Sequence, residues 1–154
     1  MNLDRTDLQI LAALQEDASL PVAELAEKVG LTSTPCWRRV QKLEESGVIR
    51  KRVALLDPAL LNVGVTVFVS IRTSQHSIKW LKAFNSLVDT IPEIIEVYRM
   101  AGDTDYLLRV AVPDIAAYDR VYKRLIQGVD MTDVSSSFAM EQMKYTTALP
   151  LDYA

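Results

Sequence analysis

Thr34, Arg38, Gln41 and Lys42 lie in one short run and carry side chains that can address nucleic acid. A guanidinium can donate two hydrogen bonds to O6 and N7 of guanine, and a glutamine amide can pair with adenine. Threonine or lysine can hold a phosphate or a base edge. If Cys36, Val40 and Leu43 form the buried stripe of a helix, about 100° per residue turns Thr34, Arg38, Gln41, Lys42 and Glu45 to the opposite side. Ser33 at the helix start joins this set. Arg39 lies on the flank and suits phosphate contact or structural positioning, and Lys51 and Arg52 can meet backbone phosphates from a wing.

A second group, Gly102-Asp103-Thr104-Asp105-Tyr106, offers different chemistry. Glycine tolerates the positive φ that lets backbone N–H groups converge on a carboxylate, and Asp103 or Asp105 can accept from an ammonium. Together these are the needs of an α-amino acid. The same residues equally suit a plain hairpin turn, where aspartate bonds its own backbone.

The charge distribution agrees with the first group. The chain of 154 residues is mildly acidic, with a formal net charge of −3. Residues 1–27 hold Arg5 against six carboxylates, whereas residues 28–52 hold seven cations against Glu44 and Glu45. Phosphate binding depends on where positive field is concentrated, so an acidic total does not exclude DNA. The single cysteine, Cys36, and single histidine, His76, give neither a disulfide nor metal-ligand spacing, so no metal and no cofactor are expected. Cys36 is expected to be a small buried hydrophobe. No apolar run approaches the roughly eighteen residues of a membrane span, and the N-terminus lacks a leader pattern, so a soluble cytoplasmic protein is expected.

The elements that must position these groups follow from caps and periodicity. Asp4 with Asp7 reads as a capping box opening a first helix over about Arg5 to Gln15. Pro21 starts a second helix with Val22, Leu25, Ala26 and Val29 inward, and Gly30 ends it. Thr32 or Ser33 caps the third helix, which Gly47 stops. Trp37, at the margin of that helix, is expected to pack over the first, the alternative being contact with a thymine methyl or sugar. Val48 to Leu56 alternates in a way that allows a short wing strand before Asp57-Pro58.

From Gly64 the period changes to two, and Val65 to Arg72 reads as a strand. Ser77 caps a helix carrying Ile78, Leu81, Phe84 and Leu87 or Val88. Ile94 to Met100 and Tyr106 to Val112 are strands about the turn at 101–105. Asp114 caps a helix with Ile115, Tyr118, Tyr122 and Leu125, and Val134 to Lys144 is the last strand. The order is βαββαβ, a ferredoxin-like split βαβ unit. The expected fold class is α+β, with a winged helix-turn-helix domain at 1–50, a wing and linker at 51–63, and an effector and oligomerisation domain at 64–154. Two helices cover only one sheet face, yet both faces carry apolar residues, which predicts at least a dimer.

Residues 24–49 (ELAEKVGLTSTPCWRRVQKLEESGVI), ALLDP at 54–58, AGDTDYLLRVAVPD at 101–114 and SSFAMEQMKYTTALP at 136–150 closely resemble the Lrp/AsnC (feast/famine) family of transcription regulators. The resemblance spans nearly the whole chain. It implies a DNA-binding domain joined to an effector-sensing βαββαβ domain, dimers that commonly form octamers, and a small effector, usually an amino acid. It also implies that Gly102 to Tyr106 lies beside the effector pocket, and that Ile115, Ser137, Phe138 and Ala139 match positions linked to the effector response. Ser135 and Ser136 join them by proximity. The PCW of the third helix and the TTALPL ending look most like a bacterial branch that includes a cysteine-responsive regulator.

The resulting expectation is a sequence-specific, effector-modulated DNA-binding transcription regulator, oligomeric and nucleoid-associated in the cytoplasm, partnered by double-stranded DNA and not by membrane. The alternative is a nucleoid-type architectural DNA-binding protein without an effector. An enzyme is not expected, because Asp103 and Asp105 have no nearby His, Cys or basic partner in sequence.

Overall fold

The structure, a computed structural model, describes residues 2–154. The chain divides into two compact units, one running to Leu55 and including Lys144–Ala154, the other Leu56–Met143. Residues 144–154 cluster with the N-terminal helices. Leu151 packs against the helical core, and Gln15 exchanges two hydrogen bonds with the Leu149 backbone at 3.1 and 2.6 Å.

The first unit contains α1 (Arg5–Glu16), α2 (Val22–Lys28) and α3 (Ser33–Glu45). Asp4 caps α1 by accepting the Asp7 N–H, and Asp7 returns the contact to the Asp4 N–H, which completes the box. Gly30, at φ +69°, closes α2: its N–H reaches Glu27 O, and the Leu31 N–H reaches Ala26 O at 2.9 Å. A residue with a Cβ is strained in that left-handed turn, which sets the approach to α3. Ile10, Leu11, Leu25, Ala26, Cys36, Val40 and Leu43 are buried together. Each large member contributes about 1.5–3 kcal/mol of burial. Residues 48–56 form no strand: the segment has no ladder partner among the described residues, and Val53, Leu55 and Leu56 are exposed.

The second unit contains β1 (Val65–Arg72), α4 (Ile78–Asp89), β2 (Ile94–Arg99), β3 (Tyr106–Val112), α5 (Ile115–Gly128) and β4 (Asp133–Phe138). The strands lie in the order β2-β3-β1-β4 and every pairing is antiparallel. Ser77 and Asp114 cap the helices as expected, each accepting a backbone N–H three residues on. Val67, Val69, Ile71, Leu108, Val110 and Val112 project into the core with Trp80, Phe84, Val121 and Leu125 of the two helices.

Three expectations are corrected here. The α4 stripe is Trp80, Phe84 and Val88, and Ile78 is 74% exposed. The α5 stripe includes Ala117 and Val121, while Ile115 is 71% exposed. The last strand ends at Phe138 rather than Lys144, because β1, its only partner among the described residues, begins at Val65 and its outermost pairing is Val67 with Phe138. No helix among the described residues is long and apolar enough to cross a membrane.

Candidate functional site

The helix α3 presents two chemically different sides. Cys36, Val40 and Leu43 are buried, and burial pushes the Cys36 thiol pKa up. On the other side Thr34, Arg38, Lys42 and Glu45 are exposed, and Ser33 is exposed at the helix start. Gln41 is half-buried, its amide donating to Glu44 Oε2 at 3.2 Å. Trp37 is 50% exposed, so half of its surface is open beside the exposed Arg38.

The flanking cations have protein partners. Arg39 Nη1 lies 2.7 Å from both Asp4 Oδ2 and Asp7 Oδ1. Asp4 first, and then Asp7, raises the already high guanidinium pKa, while the Asp7 N–H and then Arg39 hold the Asp4 carboxyl below its usual range. Arg52 pairs with Glu44 at 2.9 Å, and Lys51 is exposed.

In the second unit, residues 101–105 join β2 to β3. Gly102 has φ +116°, so this position favours glycine. Asp105 is engaged: its Oδ2 accepts the Thr73 N–H at 2.8 Å, and its own N–H reaches Ile71 O. Thr73 in turn donates to Asp130 O, which also accepts the indole N–H of Trp80 at 2.8 Å. Asp103 is exposed and Thr104 half-buried, whereas Tyr106 is buried against Trp80 and Phe84. Tyr106 also lines an open groove of about 390 Å³ between α4 and β2, with Phe84, Asn85, Asp89, Val97 and Arg99. Nothing in the spacing of these five residues singled them out, because strand register and helix packing bring them together.

Ile115, Phe138 and Ala139 do not meet this turn within one subunit. Tyr106 pairs across β1 at the level of Val134, while Phe138 sits at the level of Val67. Four residues of strand separate those levels by about 13 Å, before the width of two intervening strand spacings is added. Ile115 follows the far end of β3, at the same end as Phe138 and Ala139. Ser136 faces the helices, hydrogen-bonded to the Tyr118 hydroxyl, and Phe138 meets Tyr118 edge-on at 5.4 Å. Ser135 and Ser137 pair with Ser70 and Phe68 and so share the uncovered sheet face.

Residues 3–50 match the family described as winged helix-turn-helix DNA-binding, and residues 66–149 match the Lrp/AsnC ligand binding domain. The chain belongs to the Lrp/AsnC family. Its members are DNA-binding transcription regulators with an effector-binding domain, not enzymes. The chain is 52% identical over 149 residues to the glutamate uptake regulatory protein of Zymomonas mobilis, covering 97% of this chain and 91% of that protein. It is 50% identical over 151 residues to the DNA-binding transcriptional activator DecR of Escherichia coli, covering 97% and 99%. Among solved structures, an AsnC family regulator from Agrobacterium tumefaciens is 67% identical with a TM-score of 0.94, covering 98% of this chain and 99% of that one. A Neisseria meningitidis regulator in complex with L-Met is 35% identical with a TM-score of 0.94, covering 99% of each.

Proposed function

We propose that this Lrp/AsnC member reads operator DNA with the open side of α3, and that an amino acid bound by the sheet domain modulates its affinity or assembly. The observation that carries the reading is the division of α3 itself. Cys36, Val40 and Leu43 are committed to the core, while Thr34, Arg38 and Lys42 face outward. Arg38 is the principal base reader, Ser33, Thr34 and Lys42 hold phosphate or base edges, and Gln41 and Lys51 are secondary contacts. Arg39 and Arg52, with carboxylate partners, support the site from behind.

For the effector, Gly102 to Tyr106 supplies backbone donors and Asp103 supplies the carboxylate that no protein group occupies among the described residues. Ile115, Phe138 and Ala139 belong to the opposite end of the sheet, so they meet the turn only across subunits. Ser135 and Ser137, on the uncovered sheet face, contribute polar groups to that shared wall, while Ser136, bonded to Tyr118, holds the strand against α5 from the other side. The protein therefore works as a homo-oligomer, a dimer built on the uncovered sheet face around Phe68 and, through further contacts, an octamer, acting on chromosomal DNA in the cytoplasm. The L-Met complex of the Neisseria regulator supports an amino acid as the class of effector. Relatives of comparable identity, a glutamate uptake regulator and a transcriptional activator, differ in role, so neither supplies its particular effector.

A thermal-shift screen of the twenty amino acids tests this reading. At least one stabilises the protein measurably, and the Asp103→Ala variant loses that shift. No stabilisation by any of them would favour an architectural DNA-binding protein.

A further inference from the structure

The two adjacent arginines of α3 have different partners. Arg38 is exposed. Arg39 places one guanidinium nitrogen 2.7 Å from Asp4 and 2.7 Å from Asp7. These two carboxylates are also the box that caps α1, and every one of their oxygens is used. Asp4 gives Oδ1 to the Asp7 N–H and Oδ2 to Arg39; Asp7 gives Oδ2 to the Asp4 N–H and Oδ1 to Arg39. Asp7 is only 5% exposed, so its charge depends on a partner.

Both bonds leave from Nη1, and a phosphate on the remaining guanidinium N–H groups would bring the DNA backbone toward two carboxylates that repel it. We infer that Arg39 is a positioning residue: it fixes the rotation of α3 against the N-terminus of α1, and so aims Arg38 and Lys42, without touching DNA. The leverage is geometric. A rotation of roughly 20° moves a group at the ~5–6 Å outer radius of a helix by about 2 Å, which is enough to break a directed hydrogen bond to a base edge. The core stripe Cys36, Val40 and Leu43 holds α3 by nondirectional contacts; the Asp4–Arg39–Asp7 junction adds the directional restraint. This inference rests on the proposed reading side of α3.

The test uses the full chain, a duplex that the wild type selects from a randomised pool, and a random-sequence duplex of equal length. Affinities for both are measured against KCl concentration, well below each variant's melting temperature. Arg39→Gln removes the charge. Asp4→Ser removes one carboxylate but retains an oxygen that can cap α1. Each variant loses about tenfold or more in preference for the selected duplex while the salt slope stays at the wild-type value. Arg39→Lys regains part of the preference, and combining Asp4→Ser with Arg39→Gln adds little, because both break one junction. A purely structural role would lower melting temperature yet leave preference unchanged in the folded protein, and that outcome overturns the inference. So does a salt slope reduced by about 0.9 in Arg39→Gln with Asp4→Ser unaffected, which marks a phosphate contact. Arg38→Ala without effect on either duplex would overturn the reading side itself, and the inference with it.

Discussion

Asp105 accepts the Thr73 backbone N–H at 2.8 Å, fastening the turn between β2 and β3 to the end of β1. Thr73 is buried and already bonded to Asp130 and Gln75, so this carboxylate belongs to the framework of the turn. Asp105→Ala leaves a buried N–H without a partner and destabilises the sheet unit by about 1–3 kcal/mol. Asp105→Asn, which keeps an acceptor, loses less. Urea unfolding of both variants, followed by Trp80 fluorescence, distinguishes them.

The elements of the fold were legible where a cap and a period coincided. Asp4, Ser77 and Asp114 each opened a helix where expected, and the alternation of β1 and β3 gave both strands. Ile78 and Ile115 were misplaced because each is the first residue of its helix and lies about 100–120° from the centre of the buried stripe. Apolar character alone does not reveal that offset. The partners of Arg39 were not legible, since Asp4 and Asp7 are distant in sequence and also serve as a local cap. The split of the effector candidates between two ends of the sheet required the strand register.

The uncovered sheet face carries Phe68 at its centre, 39% exposed, with Tyr98 and Leu107 nearby through the register. Placing a charge there opposes burial against a second copy. Phe68→Glu shifts the protein toward monomer in sedimentation velocity at micromolar concentration, while its circular dichroism stays that of the wild type. A wild-type monomer mass independent of concentration would remove the dimer.

On the same face Arg109 grips Glu96 through two bonds of 2.9 Å, and this hydrogen bonding first, with its charge, holds the Glu96 carboxyl below its ordinary value of 4.5. A depressed folded pKa contributes stability that is present above the unfolded value and is lost as pH falls through the folded one. Stability therefore declines below about pH 4.5, and Glu96→Gln shows a shallower acid limb. Urea midpoints measured from pH 3 to 7 for both proteins check the difference.

Cys36 is fully buried in the helical core and its thiol pKa is raised by that burial. A thiol in such surroundings is a poor nucleophile. It reacts with a chromogenic disulfide reagent orders of magnitude more slowly in the native protein than in urea. Cys36→Ser, which buries a hydroxyl among apolar groups, costs about 1–3 kcal/mol of stability. Rapid native labelling would instead point to a redox-responsive thiol.

The most direct measurement is fluorescence anisotropy of a labelled duplex selected by the wild-type protein, titrated beside a random duplex, with and without each amino acid that raises the melting temperature. The wild type prefers the selected duplex, Arg38→Ala loses that preference, and at least one amino acid changes the affinity by about fivefold or more, the lower end of typical allosteric coupling. Equal affinity for both duplexes, unmoved by any amino acid, would contradict an effector-controlled reading helix.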